Sequence, residues 1–262
     1  VPSGIDHIVI TVNDLDEASA SFAALGFTVT FGGHHEHRPS SNALIPFADG
    51  SYIELVGFRP HPEPIIDPWW DLLQLGEGLV DFALRSDRVS LDLERVSIAG
   101  IPARGPISGG RARPDGQQID WQVVRISSRE RSTARAPFII EDLTPRDLRI
   151  PSGSEAQHAN GVDRTIGITV LVGSISEATT LYDAVIGHAG QPLSSDIDAD
   201  APAVRYLIGD QWIDIVEPRS PELVAVLNER GSGPVRFELG PAETASTIDL
   251  VVHGARLRVP TR

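Results

Sequence analysis

The segment Gly32-Gly33-His34-His35-Glu36-His37-Arg38-Pro39 gathers three of the chain's eight histidines and a glutamate. Imidazole and carboxylate both ligate metals, and imidazole also gives or takes a proton near neutral pH. A complete four-ligand site inside the loop is disfavoured, because adjacent side chains diverge and the loop is too short to wrap an ion. The segment reads as the rim of a site whose other members come from elsewhere.

Two such members stand in the middle of aliphatic, alternating stretches, His7 in "GIDHIVITV" and Glu54 in "SYIELVGF". Along a strand, side chains alternate faces, so Ile8, Ile10 and Val12 share the face that a helix must cover, while His7, Val9 and Thr11 share the other. Ile53 and Leu55 belong to the covered face by the same parity, which puts Tyr52, Glu54 and Val56 opposite. A carboxylate is expensive on a covered face and easily accommodated on an open one. His7 and Glu54 are therefore expected on one open face of neighbouring strands. There they could share a divalent ion, pass a proton to an adjacent carbon, or line a ligand pocket as a polar pair.

The elements that position them recur. Residues 4–27 read as a strand, an Asn13-Asp14 cap, a helix and a glycine stop, followed by three short strands with Asp49-Gly50 as a hairpin turn. Residues 78–101 repeat the opening at an offset of 74, and "TIGITVLVGSISEATTLYDAVIG" starts a third unit at Thr165. Closing strands are expected around Ile53-Glu54-Leu55, Ile119-Asp120-Trp121 and Ile213-Asp214-Ile215. This alignment puts Asp81 in the place of His7 and Asp120 in the place of Glu54, with Trp121 on the helix side. In the third unit Gly167 and Asp214 take those two places. A fourth unit, "GPVRFEL" to "ARLRVP", is degraded. The expected organisation is residues 1–125 as one domain of two units, 126–157 as a crossover linker rich in Arg, Ser and Pro, and 158–262 as a second region with one full and one degraded unit.

Composition narrows the chemistry. The 262 residues contain no cysteine and no lysine, which removes thiol nucleophiles, thiolate metal sites, Schiff bases and Walker lysines. A formal charge of -14 argues against nucleic acid as a partner, though a few arginines could still focus a positive field on a small anion. No apolar run is long enough to span a bilayer, so a cytoplasmic protein with a small-molecule ligand, monomeric or homodimeric, is the default expectation.

"GIDHIVITVNDLD", the "GG.H" spacing of Gly32, Gly33 and His35, "SNALIPFADGSYIELVG" and "HANGV" together resemble the glyoxalase-like branch of the vicinal oxygen chelate superfamily. The resemblance is strongest through residue 57. It implies an α+β fold of repeated βαβββ modules that pair into open, curved mixed sheets with helices on the outer face. It also implies lyase or isomerase activity on a small oxygen-bearing molecule, with extradiol dioxygenase activity and non-catalytic binding or sequestration as alternatives. Carried over residue by residue, it assigns a divalent metal (Mn, Mg, Zn, Ni or Fe) to His7, Glu54, Asp81 and Asp120, and it leaves absence of the metal equally open, since the family more often has histidine where Asp81 stands. His7 and Glu54 would then be the catalytic pair. The same carry-over makes His35, Asn42 and His158 substrate contacts, with Tyr52 on the open face. Trp69, beside Trp70 in a Pro-rich connection, would either lid the cup or pack.

Overall fold

A computed structural model describes residues 1–35, 38–113, 116–126, 134–241 and 247–260; Glu36, His37 and Asp115 lie outside the described residues. The first module runs β1 (Gly4–Val12), α1 (Leu15–Ala24), β2 (Thr30–His34), β3 (Ser40–Pro46) and β4 (Tyr52–Phe58). Asp14 starts α1 by accepting hydrogen bonds from the N–H groups of Asp16 and Glu17, both at 2.9 Å. A short helix α2 (Pro68–Leu73), capped by Asp67, leads into the second module. That module comprises β5 (Gly78–Arg85), α3 (Val89–Ile98), the long hairpin β6 (Ala103–Ala112) and β7 (Gln118–Ile126), and β8 (Phe138–Asp142). The resulting sheet has the order β2-β3-β4-β1-β5-β8-β7-β6, with β1 and β5 antiparallel at its centre.

β8 corrects the sequence reading. It forms inside the stretch taken as linker, pairs parallel with β5 as β4 does with β1, and so is the closing strand of the module. β7 lies one place further out, between β8 and β6. After a short helix α4 (Arg146–Arg149), the second sheet is built from β9 (Arg164–Leu171), α5 (Ile175–Ile186), β10 (Gln191–Ser194), β11 (Pro202–Ile208) and β12 (Gln211–Val216). α6 (Pro221–Arg230) then precedes a reduced fourth unit of β13 (Gly233–Gly240), β14 (Thr247–Val252) and β15 (Ala255–Pro260), which has no helix among its described residues. Its order is β10-β11-β12-β9-β13-β15-β14.

One continuous core collects the helix-facing side chains of both sheets: Ile8, Ile10, Ile53 and Leu55 from the first, Ile168, Val170 and Ile213 from the second, with Phe22, Val96 and Tyr182 from the helices. The tip of the β14–β15 hairpin also reaches the first half, where His253 Nδ1 meets Glu77 at 2.7 Å and Nε2 meets Ser21 at 3.0 Å. Among the described residues no helix is long and apolar enough to cross a membrane.

Candidate functional site

On the other face of the first sheet lies a cavity of about 560 Å³, within the range of small-molecule sites. Strand alternation delivers His7 from β1, Asn42 and Leu44 from β3, and Tyr52 and Glu54 from β4 into it. His7 Nε2 faces Glu54 Oε2 at 3.6 Å, and the His7 ring stacks on Tyr52 with centroids 4.6 Å apart. The β2–β3 loop folds inward, so that His35 Nε2 stands 3.5 Å from Glu54 Oε1, while the amide of Asn42 donates to the same oxygen at 2.6 Å. His35 is itself fixed by Ser40 Oγ at 2.8 Å. Gly32 permits this packing, since a Cβ there would overlap the Asn42 amide. His34 turns away, to Ser41 and the Phe31 ring.

Burial by itself would raise the Glu54 carboxyl, but the hydrogen bond from His35, the charges of His7 and His35 and the Asn42 amide outweigh it and bring the group down to about 2. Glu54 is thus a carboxylate throughout the neutral range and a weak proton acceptor there. His7 is better placed for that task. Its Nδ1 lies 2.7 Å from Asp6 Oδ1. Burial opposes ionisation of Asp6, yet Arg149, His7 and Arg146 hold its carboxyl well below the usual range. An ionised Asp6 accepts from Nδ1–H, so the neutral ring carries its lone pair on Nε2, toward Glu54 and the cavity.

Asp6 and Arg149 are site residues that sequence reasoning missed. Parity assigns Asp6 to the covered face, but the β1–β5 register shifts between Ile5 and His7, and such a bulge re-aims a side chain. Arg149, buried, forks onto Asp6 with contacts of 3.1–3.2 Å, pairs with Asp142 and donates to the Tyr52 hydroxyl at 2.7 Å. Arg146 adds a contact to Asp6 at 2.5 Å. Both arginines come from the stretch read as linker. The sequence signal was present in "TPRDLR", whose arginines recur at helical spacing, but nothing local showed what they face.

Trp69 lines the cavity while buried, donates its indole N–H to Asp81 at 3.0 Å and lies under the Arg38 guanidinium at 4.1 Å. His158 is not a cavity residue. It sits edge-on to Phe27 and Phe47, takes the Thr28 N–H at 2.9 Å and meets the Pro46 carbonyl at 2.8 Å, pinning the crossover segment to the first module. Apolar surroundings push its pKa down.

The proposed metal set does not assemble. Val9 pairs with Glu54 across β1–β4, and the pseudo-symmetric partner of Val9, Ala83, pairs with Phe138 across β5–β8. Phe138, not Asp120, therefore occupies the place of Glu54 in the second module. Asp120 lies on β7 opposite Gly110, and alternation sends Trp121 and Val123 into the cavity and Asp120 away from it, which also reverses the expected side of Trp121. Asp81 does take the place of His7, but it is held by Trp69, by Arg135 at 3.2 Å and by Arg125 at 3.9 Å. His7, His35 and Glu54 come together without converging on a point that would hold an ion: among the described residues no three His, Asp or Glu side chains do so. As arranged among the described residues, the four expected ligands do not form a divalent-metal site.

A family model described as glyoxalase-like domain matches residues 5–186. The chain thus belongs to the glyoxalase-like domain family, within the vicinal oxygen chelate superfamily. Among solved structures it is similar to a hypothetical protein from Staphylococcus aureus, at 15% identity and a TM-score of 0.75 over 97% of this chain and 98% of that one. It is also similar to a mutant of 4-hydroxymandelate synthase from Streptomyces coelicolor, at 12% identity and a TM-score of 0.61 over 100% and 93% of the two chains. A xylose isomerase-like TIM barrel/4-hydroxyphenylpyruvate dioxygenase fusion protein aligns at 14% identity and a TM-score of 0.58, covering 93% of this chain and 37% of that one. At these identities the likeness carries the fold alone. Among proteins with curated descriptions none matches the sequence.

Proposed function

We propose that the protein is a lyase or isomerase that moves a proton on a small oxygen-bearing organic molecule bound in the first cup. His7 Nε2 is the base, Asp6 fixes its tautomer, and Glu54 stabilises the imidazolium that forms, a division of roles like that of other histidine-carboxylate pairs. Asn42 and His35 hold Glu54 in position, and Tyr52, kept neutral mainly by burial, packs the ring of His7. The observation that carries this reading is the approach of an Asp6-oriented His7 to an ionised Glu54 at 3.6 Å on the wall of the cavity. The scheme uses no metal: Phe138 and the engaged Asp81 stand where further ligands would be needed.

The test follows hydrogen-deuterium exchange by proton NMR in D2O, with a panel of small 2-oxo acids, 2-hydroxy acids and their esters. Exchange next to a carbonyl, lost in His7→Asn and cut at least ~100-fold in Glu54→Gln, is expected. Saturable binding without exchange or turnover across the panel would instead make this a sequestering protein. Metal analysis of the same preparation checks the reading independently: about one ion per chain, lost in His7→Ala, would replace it with a metal-assisted mechanism.

A further inference from the structure

We propose that the cavity takes an organic carboxylate, seated by Arg104 and Arg125 with its apolar body against Phe138 and Trp69. This rests on the first cup being the active site and adds the class of its substrate.

Arg104 and Arg125 are direct cross-strand partners on β6 and β7, and both line the cavity. Like charges directly opposite on one sheet face are destabilising, so such a pair calls for a compensating anion. Arg135 stands with them in the lining, and Asp81 is the carboxylate within 4 Å of Arg125 and Arg135. Asp81 is already committed: it accepts from Trp69 at 3.0 Å and from Arg135 at 3.2 Å, leaving Arg125 at the edge of ion-pair distance, 3.9 Å. Among the described residues no carboxylate pairs with Arg104. Two guanidinium groups thus share one carboxylate and the third, Arg104, has none among the described residues, in a chain whose overall charge is -14.

The other cavity arginines show what a purely structural role looks like. Arg38 has Asp67 at 2.7 Å, Arg149 has Asp6 and Asp142, and Arg111, buried, donates to the carbonyls of Gly32 and Arg149. Consistent with that contrast, burial pushes the Arg125 guanidinium below its ordinary pKa despite Asp81, whereas Arg149 is raised well above its own by Asp6 and Tyr52 in spite of burial. Arg125 also lies 4.5 Å over the Phe138 ring and 5.6 Å from Trp69, which fixes its plane beside an apolar wall. The planar forks of Arg104 and Arg125, held on strands, suit the planar, bidentate carboxylate, and the start of α2, which also lines the cavity, has its Trp69 N–H taken by Asp67 at 2.8 Å.

The placement divides labour between the modules. Asp81 and Phe138 stand where His7 and Glu54 stand in the first module. One half of the cup carries the proton-moving groups, and its pseudo-symmetric counterpart carries the anchor.

Titration calorimetry with 3-phenylpropionate, 3-phenylpropanamide and phenyl phosphate tests this on the full chain. The carboxylate is expected to bind at least ~10-fold more tightly than the amide, with affinity falling as salt rises. Arg125→Gln should weaken it by ~10-fold or more, and Arg104→Gln, at an exposed position that leaves the fold intact, by several-fold. Equal binding of the amide, unchanged affinity in both variants, tighter binding of phenyl phosphate, or no binding of any of the three at millimolar concentration would each overturn the proposal. Retained carboxylate binding in a protein that exchanges no proton on any substrate would sink the catalytic reading and leave this one standing. Exchange on neutral substrates with no preference for carboxylates would do the reverse.

Discussion

The two sheets put the same backbone positions to different use. In the first, His7 pairs with Tyr52 across β1–β4; in the second, Gly167 pairs with Trp212 across β9–β12. A Cβ at Gly167 would overlap the Trp212 ring, so the indole lies over bare backbone where the first sheet has an imidazole. Glu54 has its counterpart in Asp214, which aligns with Thr169 as Glu54 aligns with Val9. Yet Asp214 is gripped by Arg205 through two hydrogen bonds of 2.6 and 2.7 Å, and that guanidinium lies 4.4 Å over Trp212. Both sheets present a carboxylate from the closing strand. In one it faces two imidazoles, each with a ring nitrogen that can donate or accept a hydrogen bond, and in the other a guanidinium, which only donates. A repeated strand motif thus sets where a charge points, and the residue across from it decides whether the charge is free to act.

The comparison is broken most severely at the carboxylates. Glu54→Gln should lower exchange or turnover by ~10²–10⁴-fold, whereas Asp214→Asn should leave it unchanged; equal losses in both variants would mean that the second sheet takes part in the chemistry. Acid stability sharpens the same contrast. Glu54 has a folded-state pKa of about 2 against an ordinary 4.5, so its contribution is present above 4.5 and is lost as the pH falls toward 2. Wild type should therefore lose up to about 3 kcal/mol more than Glu54→Gln between pH 5 and pH 2, a difference read from urea midpoints at each pH.

A smaller effect is expected from filling the second cup. Gly167→Ala forces the new methyl into Trp212 and should cost about 2 kcal/mol, seen as a lower urea midpoint with an unchanged slope. An unaltered midpoint would show that the indole can swing aside. The smallest change is the stability loss in Asp214→Asn, about 1 kcal/mol, because its partner Arg205 is 35% exposed and solvent screens the pair.

The sequence was most informative where one chain segment makes its own case. Alternation in "GIDHIVITV" and "SYIELVGF" put His7, Tyr52 and Glu54 on the open face, where the structure has them. The offset of 74 between the first two units survives as the β1–β5 pairing, which sets Ile8 against Phe82 and aligns Asp81 with the place of His7. Period and parity are properties of the backbone, so a single strand discloses them. The closing strand of the second module was illegible because "APFIIED" sits in an Arg- and Pro-rich stretch, while "QQIDWQVVR" offers a better strand pattern and is in fact the arm of a longer hairpin.

Sequence by itself therefore determined the class of fold, the repeat, the absence of thiol and lysine chemistry, and a histidine and a glutamate on one face. Only the tertiary structure decided what meets them. A bulge turned Asp6 toward His7, α4 brought Arg149 across 143 positions of chain, Phe138 displaced the expected Asp120, and Arg125 and Arg135 came to share Asp81. These depend on register and on contacts between remote segments, and a one-residue change in pairing reverses the face on which every side chain of a strand appears.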